Sequence, residues 1–221
     1  VVGALSSNNG ADFTTLAREI AALGYMFGAL TLDARHFLPQ SRPRLFVVAA
    51  REEAASAALW DEAPSPHFAN AAVRRAYDGL PKALKARWRW WRLPAPPMRN
   101  VAFADLIEEA PADAPWHSAQ ETQRLVALMS PVNRAKLDAA RAAGSREVGA
   151  VYRRTRHDAT GAKVQRAEAR FDGLAGCLRT PGGGSSRQFI LVVDGARVRS
   201  RLLSSREAAR LMGLPDDYKL P

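Results

Sequence analysis

The amino-acid sequence predicts an α/β protein in which a helix and two strands come first and a mixture of short helices and strand hairpins follows. Three observations carry this prediction. Apolar residues recur at helical spacing over residues 13–23, two strand-like apolar runs follow at 25–33 and 45–50, and a further pair of strands turns at Asp194-Gly195. With 221 residues, of which 47% are hydrophobic, the chain is long enough to bury a core.

The first helix is predicted to begin at Asp12, whose side chain can cap it, and to end at Gly24. Residues 25–33 then follow as a strand. Residues 45–50 form a continuous apolar run, which is typical of a buried strand. The apolar positions of the helix that are expected to face the core are Phe13, Leu16, Ile20 and Leu23.

The composition changes near residue 51, where alanine-rich helical pieces broken by prolines begin. We therefore predict two domains, residues 1–50 and residues 51–221. Within the second domain, helices are predicted at 120–129 and 133–143. A basic strand hairpin is predicted to turn near Gly161.

The last helix carries clear signals at both of its ends. Ser204 and Glu207 match a capping box, in which each side chain accepts a hydrogen bond from the backbone N–H of the other residue. The helix is expected to stop at Gly213. Its inward positions are predicted to be Ala208, Leu211 and Met212.

The segment from Lys85 to Arg92 alternates basic residues with tryptophans. Trp88, Trp90 and Trp91 could stack on nucleobases, or they could pack in the core of the second domain. The Leu93-Pro94 dipeptide that follows is typical of a packed turn and favours the core. Both interpretations stay open at the level of the sequence.

The chain carries a formal net charge of +10, from 32 basic and 22 acidic residues. This excess predicts a polyanionic partner such as DNA or RNA, because a basic protein gains affinity when it releases counterions from phosphates. Arginine outnumbers lysine strongly, so a GC-rich coding bias is the competing explanation.

The single cysteine, Cys177, excludes an internal disulfide, and no Cys/His cluster has the spacing of a zinc site. No apolar run approaches the roughly 20 residues that span a bilayer. The sequence therefore predicts a soluble protein of a reducing, cytoplasmic compartment, with no metal and no membrane partner. Cys177 itself is expected to be a small buried residue.

Two segments carry the candidate functional residues. Gln40-Ser41-Arg42-Pro43-Arg44 places two guanidinium groups at i and i+2 on a stretch stiffened by proline, where both can face one phosphate or one base edge. Residues 176–188 contain three consecutive glycines between Arg179 and Arg187, so this backbone could approach DNA closely or could be a flexible hinge. Together the two segments predict a protein that grips a nucleic-acid backbone.

The basic stretch between residues 141 and 170 offers a further candidate contact. Arg153, Arg154 and Arg156 lie on one strand of the predicted hairpin, whose tip has a shape that can enter a DNA groove. The competing interpretation is an ordinary solvated surface.

With these pieces in order, the chain resembles the C-terminal half of DNA cytosine-5 methyltransferases over nearly its whole length. The string Gln40-x-Arg42-x-Arg44 followed by Leu-Phe-Val-Val resembles the eighth conserved motif of that family. Residues 201–215, with Arg201, Ser204, Arg206, Glu207 and a Gly-x-Pro ending, resemble the ninth. The insert between them, which ends in residues 176–188, resembles the target-recognition domain of a bacterial branch.

This resemblance implies the C-terminal strands and helix of a Rossmann-like methyltransferase domain, followed by a smaller α+β target-recognition domain. It implies an enzyme of bacterial DNA methylation, of the kind found in restriction–modification, that works in the cytoplasm at the nucleoid. Such an enzyme flips a cytosine out of duplex DNA, attacks its C6 with a cysteine thiolate and transfers a methyl group from S-adenosyl-L-methionine to C5. The implied partners are double-stranded DNA and an N-terminal catalytic half, on the same or a separate chain.

The resemblance also implies roles for individual residues. Arg44 would lie against the flipped cytosine or its phosphate and stabilise charge at the oxygen side of the pyrimidine. Arg42 would contact the adjoining backbone or order the loop, and Gln40 would fix that loop by hydrogen bonding. The implied DNA contacts of the glycine-rich segment are Arg179, Thr180, Gly182, Gly183, Gly184, Ser185, Ser186 and Arg187.

Several family elements do not occur in this sequence. The Pro-Cys dipeptide of the nucleophile, the glycine-rich methyl-donor loop and the Glu-Asn element are absent, although Val1-Val2-Gly3 resembles the residues that follow Glu-Asn. The final family motif is expected after Pro221. We therefore expect a fragment, or one part of a split enzyme, that is inactive by itself.

Two other functions compete with this prediction. The chain could be a non-catalytic, sequence-specific DNA-binding protein derived from a recognition domain. It could also be an RNA-binding module, which would prefer single strands over duplex.

Overall fold

The computed structural model describes residues 2–54, 57–179 and 187–220, and the chain forms two compact units. The N-terminal unit takes in Val1–Ala34 and Pro43–Pro97, and the C-terminal unit takes in Arg35–Arg42 and Met98–Pro221. The compact units thus divide near residue 97 and not near residue 50. The assignment of residues 1–50 to catalysis and 51–221 to DNA recognition stays a prediction.

The N-terminal unit is built from one antiparallel strand pair and short helices. In chain order its elements are α1 (Ala11–Ala22), β1 (Tyr25–Asp33), β2 (Pro43–Arg51), β3 (Trp60–Asp61), α2 (Ala71–Asp78), α3 (Lys82–Arg87) and β4 (Trp90–Trp91). β1 pairs with β2 over its full length, from Tyr25 opposite Arg51 to Asp33 opposite Pro43. β3 and β4 form a second, two-residue pair.

The start of α1 differs from the sequence prediction. Gly10, at φ +88°, is the N-cap residue, and Asp12 lies inside the first turn. The Asp12 carboxylate instead accepts hydrogen bonds from the side chains of Ser7 and Asn8, which lower its pKa. Phe13 packs in the core as predicted. The predicted core residues Leu16 and Leu23 are exposed, because the buried face of α1 runs through Phe13 and Ala17.

Trp88 is the centre of the N-terminal core. Its ring is 4% exposed and packs edge-on against Phe13 and Phe27. The adjoining Arg89 N–H donates to the Phe27 carbonyl oxygen (2.7 Å), so this segment lies along the free edge of β1. A Cβ on Gly28 would lie 2.0 Å from the Arg89 carbonyl oxygen, and this approach requires glycine. Trp88 is therefore a core residue, but its core is the one around Phe13 and Phe27 and not that of the predicted second domain, so the N-terminal unit extends past residue 50.

β2 is less buried than its apolar run predicts. Leu45 and Val47 pack against the core, whereas Phe46 and Val48 are 45% and 39% exposed. Side chains alternate across a strand, and among the described residues only one face of β2 is covered. The expectation of a buried strand was therefore wrong for this part of the chain.

The C-terminal unit is a four-stranded antiparallel sheet with helices on both faces. Its elements are α4 (Ala119–Ala127), α5 (Pro131–Ala142), β5 (Glu147–His157), β6 (Lys163–Arg170), β7 (Phe189–Asp194), β8 (Arg197–Leu202) and α6 (Ser205–Leu211). The strand order in the sheet is β6-β5-β7-β8. One face packs against α4 and α5 and the other against α6.

Local turn and cap residues set most of these boundaries. Both predicted hairpins form, with Gly161 at φ +85° and Gly195 at φ +55° in their turns. The capping box of Ser204 and Glu207 is confirmed at the start of α6. Gly213 follows that helix at φ +83°. The predicted inward position of Met212 was wrong, since this residue is 52% exposed beyond the last turn.

The described part of the chain contains no helix of the length and apolarity that a membrane crossing requires.

Candidate nucleic-acid interface

A cleft of about 800 Å³ lies beside α6 in the C-terminal unit. Three arginines line it, Arg42, Arg179 and Arg187, together with apolar side chains of α6. Asp113 is the only acidic residue among the described lining residues. Three guanidinium groups around one cleft favour an anionic ligand, because each is permanently charged and can donate paired hydrogen bonds to phosphate or to a base edge.

Gln40 is held inside the protein and orders the segment that carries Arg42. Its side chain is 1% exposed. Nε2 donates to the Leu211 carbonyl oxygen (2.7 Å), and Oε1 accepts from the Leu178 N–H (3.3 Å). These hydrogen bonds join the end of α6 to the start of the arginine-flanked segment, and the role that the resemblance implies for Gln40 stays a prediction.

Arg42 contacts the same segment at the edge of the cleft. Its guanidinium donates to the Leu178 carbonyl oxygen (3.2 Å) and lies 3.5 Å from Cys177 Sγ. Cys177 is half-buried, which differs from the buried position that its sequence context predicted. Cys177 lines a separate cleft of about 550 Å³ in the C-terminal unit, which accounts for the difference.

Arg44 belongs to the N-terminal unit. It lies on β2 next to Pro43, and its guanidinium donates to the Pro43 carbonyl oxygen (3.0 Å). Its side chain is partly exposed.

The three predicted hairpin arginines do not share one surface. Arg153 lies over the Phe189 ring, 5.0 Å from its centroid, on the sheet face covered by α4 and α5. Arg154 and Arg156 point to the opposite face, where both pair with Glu168. The alternation of side chains along β5 separates them, so at most two of the three can act together on one ligand.

Arg179 and Arg187 are the described residues at either end of the glycine-rich segment. Both are exposed. Arg187 also donates to the Leu203 carbonyl oxygen (3.1 Å), which ties it to the residue just before α6. The remaining predicted contacts lie outside the described residues: Thr180, Gly182, Gly183, Gly184, Ser185 and Ser186.

Asp113 stays ionised at the rim of the cleft. Its carboxylate accepts from the Ser205 N–H (2.8 Å). Hydrogen bonds from Ser205 are the main cause of its lowered pKa, and the charge of Arg187 contributes less. Because the Asp113 carboxylate accepts this hydrogen bond from Ser205, Asp113 offsets only part of the positive charge of the cleft.

A buried ion pair joins the elements beside the cleft, and the sequence analysis did not predict it. Arg201 and Glu207 have fully buried side chains and form a bidentate pair. The Glu207 carboxylate also accepts from the N–H groups of Ser204 (2.8 Å) and Glu108 (2.8 Å). The pair therefore joins β8, α6 and the segment before α4. The available signal was an arginine at the end of the last predicted strand, six residues before the capping glutamate.

The family model for C-5 cytosine-specific DNA methylases matches residues 1–221, which is the whole chain. The chain therefore belongs to the C-5 cytosine-specific DNA methylase family. No curated protein matches it.

Proposed function

We propose that this chain is the DNA-recognition part of a DNA (cytosine-5) methyltransferase that methylates C5 of a flipped cytosine in duplex DNA. The observation that carries this proposal is the cleft lined by Arg42, Arg179 and Arg187 in a member of this family. The proposed setting is the bacterial cytoplasm, at the nucleoid. The formal charge of +10 supports binding to the phosphate backbone, since neutralised phosphates release counterions.

In this proposal the arginines have different roles. Arg179 and Arg187 contact phosphates or base edges of the duplex from the cleft. Arg44 contacts the flipped cytosine, where a preorganised guanidinium stabilises the negative charge that develops on the attacked ring. Gln40 and Arg42 position the protein backbone, because both bond to Leu178.

Two clefts among the described residues do not fit the methyl donor of the family, S-adenosyl-L-methionine. Its sulfonium group is a cation, and arginines dominate the charge of the cleft beside α6. A second cleft, of about 610 Å³ in the N-terminal unit, is lined by Arg18 and Arg75 and by no described carboxylate. Two guanidinium groups repel a sulfonium rather than hold it. The donor therefore belongs to the catalytic half in this proposal.

The nucleophile must also come from outside these 221 residues. The sequence contains no Pro-Cys dipeptide, and its one cysteine, Cys177, follows glycine and contacts Arg42. A thiolate in a shaped pocket is what attack on C6 requires. We therefore propose that this chain methylates DNA only together with an N-terminal catalytic half.

Reconstitution tests the proposal. The chain is mixed with a catalytic half that carries the missing motifs, and transfer of a labelled methyl group to unmethylated plasmid DNA is measured. We expect incorporation only when both parts are present. A catalytic half whose Pro-Cys cysteine is replaced by serine is the matched control and should remain inactive. If no methyl group is incorporated but the chain still binds specific duplexes, the non-catalytic alternative replaces the proposal.

A further inference from the structure

The carboxamide of Gln188 makes two hydrogen bonds to one residue, Gly176. Oε1 accepts from the Gly176 N–H (3.1 Å), and Nε2 donates to the Gly176 carbonyl oxygen (3.0 Å). The Gln188 side chain is 4% exposed. Two opposed bonds between one side chain and one backbone residue fix both distance and orientation, as paired bonds do in an antiparallel sheet. Among the charged and amide side chains of this length, only glutamine supplies both a donor and an acceptor without a buried charge.

Gly176 is also closed in from its other side. A Cβ at this position would lie 1.9 Å from the Tyr152 hydroxyl oxygen, so residue 176 must be glycine. The Tyr152 hydroxyl donates to the Cys177 carbonyl oxygen (3.1 Å). Burial raises the pKa of Tyr152, and the phenol therefore keeps its proton for this bond at neutral pH. Gly176 is thus held between the Gln188 carboxamide and the Tyr152 ring.

The next peptide groups are held in the same way. Leu178 donates its N–H to Gln40 and accepts from Arg42 at its carbonyl oxygen. Residues 176–178 are therefore fixed by four side chains from three separate parts of the C-terminal unit. The position of the backbone directly before Arg179 is therefore fixed.

Gln188 is the residue directly after Arg187, and Gly176 lies three residues before Arg179. We propose that Gln188 is a positioning residue for DNA site discrimination, because its pairing with Gly176 fixes the spacing of Arg179 and Arg187 in the cleft. This inference rests on the proposed function. A contact to a base edge requires close geometry, whereas a charge beside a phosphate tolerates displacement. Loosening this pairing should therefore reduce discrimination between sequences more than it reduces overall attraction to DNA.

The test compares Gln188→Met, which keeps the length of the side chain but removes both hydrogen bonds, with the wild-type chain. Each protein selects from a pool of labelled duplexes with a randomised central segment, and the bound fraction is sequenced. We expect Gln188→Met to lose about 10–100-fold of the enrichment of preferred sequences, which is the value of one well-oriented base contact. The salt dependence of binding to a fixed duplex should stay unchanged, because all arginines remain.

Thr122→Val is the matched control. It removes a buried hydrogen bond of the same unit, between Thr122 and Ser200 (2.9 Å), on the sheet face away from the cleft. It should keep the wild-type enrichment at a comparable loss of thermal stability. Gln188→Asn, which keeps the carboxamide but shortens its reach, replaces Gln188→Met if that variant does not fold.

Equal enrichment by Gln188→Met and the wild type would overturn the inference. An equal loss of enrichment in Thr122→Val would also overturn it, since the effect would then follow from stability alone. If the wild type binds no duplex, the proposed function itself fails, and this outcome is distinct from both.

Discussion

Glu207→Ala is expected to lower the free energy of unfolding of the C-terminal unit by about 3–5 kcal/mol, because it leaves the buried charge of Arg201 uncompensated. Both side chains are fully buried, and the Glu207 carboxylate accepts four hydrogen bonds, two from Arg201 and one each from the N–H groups of Ser204 and Glu108. Denaturant titration followed by circular dichroism measures the change. Because α6 lines the cleft, DNA binding should fall together with stability.

Two companion variants make this prediction specific. Glu109→Ala removes a carboxylate that is 66% exposed and forms surface pairs, and it should change stability by less than about 1 kcal/mol. In the double variant Glu207→Ala/Arg201→Met neither buried charge remains, so it should recover much of the loss. A Glu207→Ala variant as stable as the wild type would contradict the structural role of the pair.

The same pair predicts how stability depends on pH. Burial by itself would raise the pKa of Glu207, but hydrogen bonds from Arg201, Ser204 and Glu108 outweigh it, and the folded-state pKa is lowered. A carboxyl with a lowered folded-state pKa stabilises the protein above its unfolded-state pKa, and this contribution is lost as the pH falls through the folded-state value. Glu207→Gln, which cannot titrate, should therefore show a smaller loss of stability than the wild type over that acidic interval.

Arg44→Ala is expected to lower kcat of the reconstituted enzyme by about 10²–10³-fold, because it removes a donor aimed at charge that develops in the transition state. The Kd for duplex DNA should change little. Arg187→Ala should do the reverse, weakening duplex binding by about tenfold or more while kcat at saturating DNA is kept. Single-turnover methylation and fluorescence anisotropy separate the two effects.

The chain offers a matched control for each arginine. Arg51→Ala removes the same charge from the other end of β2, where Arg51 lies over the Tyr25 ring. Arg197→Ala removes an exposed arginine of β8 that does not line the cleft. Neither control should reproduce the effect of its partner variant. If Arg44→Ala weakens binding while turnover is unchanged, the role proposed for Arg44 is wrong.

Local signals in the sequence located most of the secondary structure. β1 has the predicted bounds, both hairpins turn where glycine permits a positive φ, and the capping box starts α6. Such features depend on residues a few positions apart, and a single sequence contains that information. Asp12 is the exception, because its carboxylate is engaged by Ser7 and Asn8 and Gly10 takes the N-cap position.

Long-range packing explains what the sequence could not predict. Trp88 completes a core around Phe13 and Phe27, more than 60 residues earlier in the numbering, and this moves the unit boundary to residue 97. No local pattern encodes such a contact.

The candidate site, too, was predictable from the sequence only in part. The chemistry of Arg42, Arg179 and Arg187 was evident from residue type, but their meeting at one cleft depends on the fold of the C-terminal unit. The pairing of Gln188 with Gly176 has no sequence signal beyond a glutamine before an apolar strand.

The central claim is that the cleft arginines of this chain bind duplex DNA. The most direct measurement is the anisotropy of a labelled duplex, and of one of its single strands, titrated with the wild-type chain and with Arg179→Ala/Arg187→Ala over a series of salt concentrations. We predict that the wild type prefers the duplex and that the double variant binds it more weakly, with a slope of log Kd against log salt reduced by about 2. An unchanged Kd and slope in the double variant, or a preference for the single strand, would contradict the claim.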